Sequence, residues 1–215
     1  MSLKASHLLL LMATALGLTA WLTLRPAATS PSVGSTRAAG CPLPPATARS
    51  LAHPPLQTDA PHGLVLPHAD GRITALAGFS LQARVLGSKA YSRGEESRYS
   101  PLDLALGWGP MSQDAVLEQL AISQSGRWYH YRWQGQPPLP PARIRDHSAN
   151  MHMIPANADI AGVLARITTD QNIRLHGWLV SVEADNHWRW RSSLSRNDSS
   201  AGACEVVYVC GVEVL

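Results

Sequence analysis

Alternation of apolar and polar positions organises most of this chain. In the run FSLQARV, Phe79, Leu81, Ala83 and Val85 fall on one side and Ser80, Gln82 and Arg84 on the other, the period of two expected of a half-buried strand. Segments 127–133, 173–183, 187–194 and 204–214 also read as strands, and Ala184, Asp185 and Asn186 supply turn residues between two of them. Within WYHYRW, Tyr129, Tyr131 and Trp133 share a face opposite Trp128, His130 and Arg132. Within HWRWR, Trp188 and Trp190 oppose His187, Arg189 and Arg191. Both segments therefore read as amphipathic strands with an aromatic side turned inward. Trp128, beside His130 and Arg132, falls on the mixed side and is either covered by a neighbour or left for a ligand.

Helical periodicity occurs twice. A helix is expected from Ser112, with Asp114 in its first turn, Met111 stapled against Val116, Leu117, Leu120 and Ala121 on one face, and Gly126 as its stop. A second is expected over residues 158–167, capped by Asn157, with Ile160, Val163, Leu164 and Ile167 as its apolar stripe. Residues 62–215 then form one α+β domain, a mostly antiparallel sheet with two packed helices. The segment IRLHGWLVSVEADNHWRWRSSL resembles the glycine-containing central strands of small OB-like or SH3-like barrels, which implies a barrel-like sheet.

The N-terminus has a different character. Residues 5–24 are 20 consecutive uncharged positions between Lys4 and Arg25, and a helix of that length rises about 30 Å, the thickness of a bilayer's hydrocarbon core. A cleaved signal peptide has an apolar region of about 7 to 15 residues, so a transmembrane anchor fits residues 1–24 better. AAGC at positions 38–41 looks like a lipoprotein cleavage site, but Arg25 and a proline-containing stretch separate it from the apolar run. Residues 25–61 contain eight prolines, at 26, 31, 42, 44, 45, 54, 55 and 61, and read as an extended linker without helix or sheet. The domain is expected outside the cytoplasm, anchored in a bacterial inner membrane.

Charge narrows the function classes. The formal charge is +3, yet residues 62–215 hold 14 Lys plus Arg against 14 Asp plus Glu. The basic excess lies in the N-terminal 61 residues, so the domain lacks the net field that drives nonspecific phosphate binding, and no nucleic-acid partner is expected.

Candidate chemistry is sparse. Of Cys41, Cys204 and Cys210, the last two are six strand positions apart, about 20 Å, too far for a disulfide unless the strand bends; otherwise a bridge needs Cys41. The segment DHSANMHMIP brings His147, Asn150 and His152 close in sequence, which suggests an acid/base at His152, a hydrogen-bonding partner at Asn150 and a second imidazole at His147. No HExxH or GxSxG motif frames them. The Ser- and Asn-rich stretch 192–200 contains Ser193 and Arg196, hydroxyl and guanidinium groups suited to an anionic ligand, and Trp128 and Arg132 are further ligand candidates. Asp103 and Glu205 are carboxylates whose separation the sequence does not fix. No metal or cofactor is implied.

The segments LDLALGWGPMS, ISQSGRWYHYRW, SANMHMIPA, RLHGWLV and WRWRSSLSRNDSSAGACEVVYV resemble a recurring family of uncharacterised membrane-anchored bacterial proteins. The resemblance covers about residues 95–209 and implies an envelope origin, without transferring a catalytic residue. The expectation is a membrane-tethered binding or accessory module for an envelope protein or polymer, with an envelope hydrolase centred on His147 and His152 as the alternative.

Overall fold

The structure is a computed structural model that describes residues 35–195 and 204–215. Arg196 and the apolar run at residues 5–24 lie outside the described residues. No helix among those described is long and apolar enough to cross a membrane.

In chain order the strands are β1 (Thr36–Arg37), β2 (Leu56–Asp59), β3 (Val65–Leu66), β4 (Arg72–Ala90), β5 (Leu102–Gly107), β6 (Ala121–Ser125), β7 (Trp128–Arg132), β8 (Ser148–Pro155), β9 (Asn172–Glu183), β10 (Arg189–Arg191) and β11 (Glu205–Val214). The helices are α1 (Glu96–Tyr99), α2 (Asp114–Leu117), α3 (Pro141–Asp146) and α4 (Ala158–Leu164), with a 3-10 turn at Gly109–Ser112. The α+β, mostly antiparallel expectation holds.

The principal sheet has nine strands, and five of them pair in a circuit: β4 with β5, β5 with β8, β8 with β11, β11 with β9, and β9 back to β4. Only β8 and β11 run parallel among the described pairings. A pleated ribbon must bend to return on itself, and register shifts at Ala75/Ala77, Val85/Gly87 and Val209/Gly211 supply local bends. Gly177 permits a close approach, since a Cβ there collides with the Tyr208 carbonyl oxygen. Inside the circuit, Phe79, Leu81, Leu104, Met151, Leu175 and Val207 are fully buried. The helix expected at 158–167 is α4; its Asn157 Oδ1 accepts from the Ile160 N–H at 3.0 Å, and Ile160, Val163 and Leu164 face the core.

The helix expected from Ser112 is corrected. It lasts one turn, and Ala121–Ser125 is instead strand β6, paired with β7 in a separate hairpin. Gly126, read as a helix stop, is the first residue of the two-residue turn Gly126–Arg127, in which both φ angles are positive, 57° and 69°. Ile122 and Gln124 alternate inward with Tyr129, Tyr131 and Trp133, and that packing outweighs a helical propensity worth only tenths of a kcal/mol per residue.

The expected linker also needs correcting from Thr36 onward. β1 pairs with β11 and β2 with β4, and Ala38 and Cys41 are buried. Cys41 and Cys210 form a disulfide, leaving Cys204 free. The Trp178 indole N–H donates to the Pro42 carbonyl at 2.7 Å, and Ala48 N–H donates to Ser80 Oγ at 2.8 Å. Proline rules out the middle of a sheet but not an edge, and the segment is held by side-chain bonds and by the disulfide as well as by short ladders.

A disulfide closing a loop of 169 residues constrains the unfolded chain strongly. Cys41→Ser is expected to lower unfolding free energy by about 2–5 kcal/mol, whereas Cys204→Ser changes it by less than about 1 kcal/mol. Denaturant melts of the two variants against the parent check this difference.

Candidate functional site

The sequence SANMHM places Ser148, Asn150 and His152 on one face of β8 and Ala149, Met151 and Met153 on the other. Met151 and Met153 enter the core, so the polar trio is turned to the outer side of the circuit. β5 lies alongside with Asp103 opposite His152, Ala105 opposite Asn150 and Gly107 opposite Ser148. The hairpin β6–β7 covers this outer side. Its Tyr129, Tyr131 and Trp133 join Leu86, Ala105, Met111, Val116 and Ile144 in a second apolar cluster, and the Tyr129 hydroxyl hydrogen-bonds Ser148. Burial raises the Tyr129 pKa well above its ordinary value, against the opposing effect of that bond.

Asp103 is the centre of the arrangement and has no exposed surface. Its Oδ1 accepts from Arg127 Nη1 at 2.7 Å and from His152 Nδ1 at 2.9 Å, and its Oδ2 accepts from Asn150 Nδ2 at 3.2 Å. Asn150 Nδ2 also donates to the Arg127 carbonyl at 3.0 Å, and Asn150 Oδ1 accepts from Gln124 Nε2 at 2.7 Å. Arg127 Nη1 reaches the Ser100 carbonyl at 3.0 Å, the Arg127 N–H donates to the Tyr91 hydroxyl at 3.1 Å, and the guanidinium carbon lies 4.0 Å from the Tyr91 ring centroid. These bonds join the tip of the hairpin to β5, β8 and the β4–β5 connection. Exposed pairs such as Arg189–Glu183 are worth at most about 1 kcal/mol; a charge pair this enclosed costs several times that when one partner is removed.

His152 is only 2 % exposed. A carboxylate can only accept, so Nδ1 carries the proton that points at Asp103. Nε2 has no hydrogen-bonded nucleophile among the described residues, and the Trp190 ring centroid lies 4.8 Å from that of the imidazole. Trp190 continues into a row of rings through Trp188, Tyr99 and His68, with centroid separations of 5.8, 5.8 and 5.0 Å. Tyr99 stacks on both His68 and Trp188, whereas the contacts of Trp190 with Trp188 and His152 are tilted.

The other expected site residues divide into separate places. His147 immediately precedes β8, where its Nδ1 donates to the Arg143 carbonyl at 2.8 Å; five strand positions from His152, it is about 16 Å away. Asn150 and His152 thus share a site that His147 does not join. Ser193 is buried at the base of the loop, its N–H donating to the Cys204 carbonyl at 3.0 Å. Nearby, Ser192 Oγ accepts from the Val206 N–H at 3.0 Å, and Val206 pairs with His152. Extending that parallel register by one step beyond Glu205–Met151 sets Cys204 beside Asn150. Burial first, then the charges of Glu205 and Asp103, push the Cys204 thiol up to about 11. Trp128 and Arg132 lie on the exposed face of the hairpin, away from its seated aromatics. Asp103 and Glu205 align with consecutive residues of β8, His152 and Met151, and so fall on opposite faces.

Sequence reasoning missed Asp103 as the hub and missed Arg127 and Gln124 altogether. A signal for Asp103 was present, an isolated acid between Leu102 and Leu104 in an apolar run. Among the described residues no three His, Cys, Asp or Glu side chains are grouped as metal ligands. No protein-family model, curated protein or solved structure matches the chain. The chemistry available to the cluster is positional, with a carboxylate that fixes an arginine, an asparagine and a histidine in place.

Asp103→Ala strands the Arg127 charge and three donors, and is expected to cost about 3–5 kcal/mol in a denaturant melt, with faster hydrogen exchange at the β6–β7 amides. The thiol gives an independent test. With its pKa pushed up to about 11 by burial, Cys204 holds about a hundredfold less thiolate near pH 8 than an ordinary thiol, so iodoacetamide should label it at least that much more slowly in the folded chain than in urea, with the folded rate rising as pH approaches 11. Equal rates at pH 8 contradict the enclosed placement.

Proposed function

We propose that the chain is a single-pass, membrane-tethered extracytoplasmic module of the bacterial cell envelope, in which an OB-like barrel acts as a binding or accessory domain. The observation that carries this reading is the Cys41–Cys210 disulfide, because such bonds persist in oxidising compartments and rarely in the cytosol. The apolar residues 5–24, preceded by Lys4, supply an anchor of bilayer length on the N-terminal side. The circuit β4–β5–β8–β11–β9, with β8 and β11 parallel and α4 between β8 and β9, supports the OB-like assignment.

The hydrolase alternative requires His147 and His152 at one centre. Their separation along β8, together with a carboxylate committed to three donors, favours binding over catalysis. Fold likeness alone supplies no activity.

Topology is tested with reporters fused after Leu215. A reporter active only outside the cytoplasm should work, and one active only in the cytoplasm should stay silent; the reverse pattern overturns the reading. Protein taken directly from cells and denatured without reductant should expose one reactive thiol before reduction and three after it.

A further inference from the structure

The β6–β7 hairpin has two unlike faces. Ile122, Gln124, Tyr129, Tyr131 and Trp133 turn inward, whereas Ser123, Ser125, Trp128, His130 and Arg132 are exposed. Three of the ribbon's four aromatic residues are thereby seated on the second cluster, and Trp128 is left 41 % exposed. Its cross-strand neighbour is Ser125, and the next pair on that face is Ser123 with His130. Small hydroxyl side chains beside an indole leave its face open and supply hydrogen-bonding groups at its edge.

Charge adds a second, independent observation. Residues 121–147 hold four arginines, 127, 132, 143 and 145, against one acid, Asp146, in a domain whose charges balance only as a whole. Arg127 and Arg145 have carboxylate partners. Arg132 and Arg143 have none among the described residues. Trp128 and Arg132 stand on the same side of one strand, four positions and about 13 Å apart, a spacing suited to an extended ligand.

The third observation is rigidity. Arg127, the residue before Trp128, is held through its N–H, its carbonyl and its guanidinium by Tyr91, Asn150, Ser100 and Asp103. A surface fixed before binding loses less entropy on contact.

We propose that the outward face of this hairpin binds an acidic polysaccharide, with Trp128 stacked on a sugar ring and Arg132 paired with the polymer's anionic groups. The proposal rests on the reading of the chain as an extracytoplasmic binding module, and gives that module a site and a ligand class. A membrane surface fits less well because the exposed side of the ribbon holds no apolar residue near Trp128 to insert with it. Nucleic acid fits less well because only a few cations are in reach and the domain has no net field. The row containing Trp188 and Trp190 is a poorer platform, since both indoles are partly buried against the core.

The test uses the full chain with its anchor held in phosphatidylcholine nanodiscs, with polygalacturonate as the acidic probe, dextran as the neutral one and separate phosphatidylglycerol vesicles as the lipid control. Polygalacturonate should bind and dextran should not. Trp128→Ala should weaken binding about tenfold and Arg132→Gln several-fold with a shallower salt dependence, while both variants keep the parent melting temperature. Binding untouched by both substitutions overturns the hairpin assignment and leaves the binding-module reading standing. Equal affinity for dextran overturns the acidic class. Preference for the vesicles, or no binding to polygalacturonate at all, overturns the proposal; failure of the topology itself is read separately from the reporter fusions.

Discussion

A carboxylate with no contact with water has to be met by donors, and Asp103 obtains them from side chains that fold along very different routes. Arg127 comes from a hairpin tip, Asn150 and His152 from a neighbouring strand. Arg127 in turn reaches Tyr91 and Ser100 in the connection before β5. None of these contacts is local in sequence. The hairpin has no ladder to the principal sheet, and an isolated two-stranded ribbon is at best marginally stable in water. Its position therefore depends on two things, the aromatic face of β7 packed on the second cluster and the polar clasp at its tip. The first supplies most of the burial. The second fixes register and angle, because hydrogen bonds to a buried charge tolerate little displacement.

The N-terminal segment meets a different constraint at the opposite end of the sheet order. The end of β11 and the first half of β4 would leave backbone groups open along their edges, the arrangement that invites pairing with other chains. Residues 35–66 answer part of this with short strands β1, β2 and β3, all antiparallel to their partners, and a proline-rich stretch that has few donors to offer. Such a segment has little cooperativity of its own. Trp178, Ser80 and the disulfide hold it from the side of the domain. Pro42 takes part directly, its carbonyl accepting from the Trp178 indole N–H.

The strands were largely legible in the sequence where one face met the core and the other met solvent. β7, β10 and the outer half of β4 alternate as their residues suggest, and α4 is recognisable from its cap and stripe. β5 and β8 were not, because both faces are buried: an inner face of Leu and Met, and an outer face covered by the hairpin. A strand covered twice has no solvent face to give it a clean period, and Asp103 and His152 then look like isolated polar residues when they are in fact opposite one another. The disulfide was partly legible, since the length of an uninterrupted strand between Cys204 and Cys210 made Cys41 the better partner. The site was less so. Asn150 and His152 meet the same carboxylate rather than each other, whereas His147, nearer to Asn150 in sequence than many true partners, faces a different part of the surface, and the residue that unites the cluster is nearly fifty positions earlier in the chain.

The two places that drew attention in the sequence, the histidine segment and the aromatic ribbon, turn out to be the inner and outer ends of one device. Polar groups that look chemically active, an imidazole, a carboxylate and a guanidinium, are enclosed and bonded to one another. The side chains that face water are a tryptophan, a histidine, an arginine and two serines on the hairpin those groups hold in place. Energetically this division is coherent. A buried ion pair contributes little net stability over an apolar replacement but is costly to leave half-made, so it discriminates sharply between one hairpin position and any other. Exposed residues carry no such obligation and are free to meet a ligand without disturbing the core. The physical role best matched to Asp103, Arg127 and Asn150 is accordingly to define where Trp128 stands.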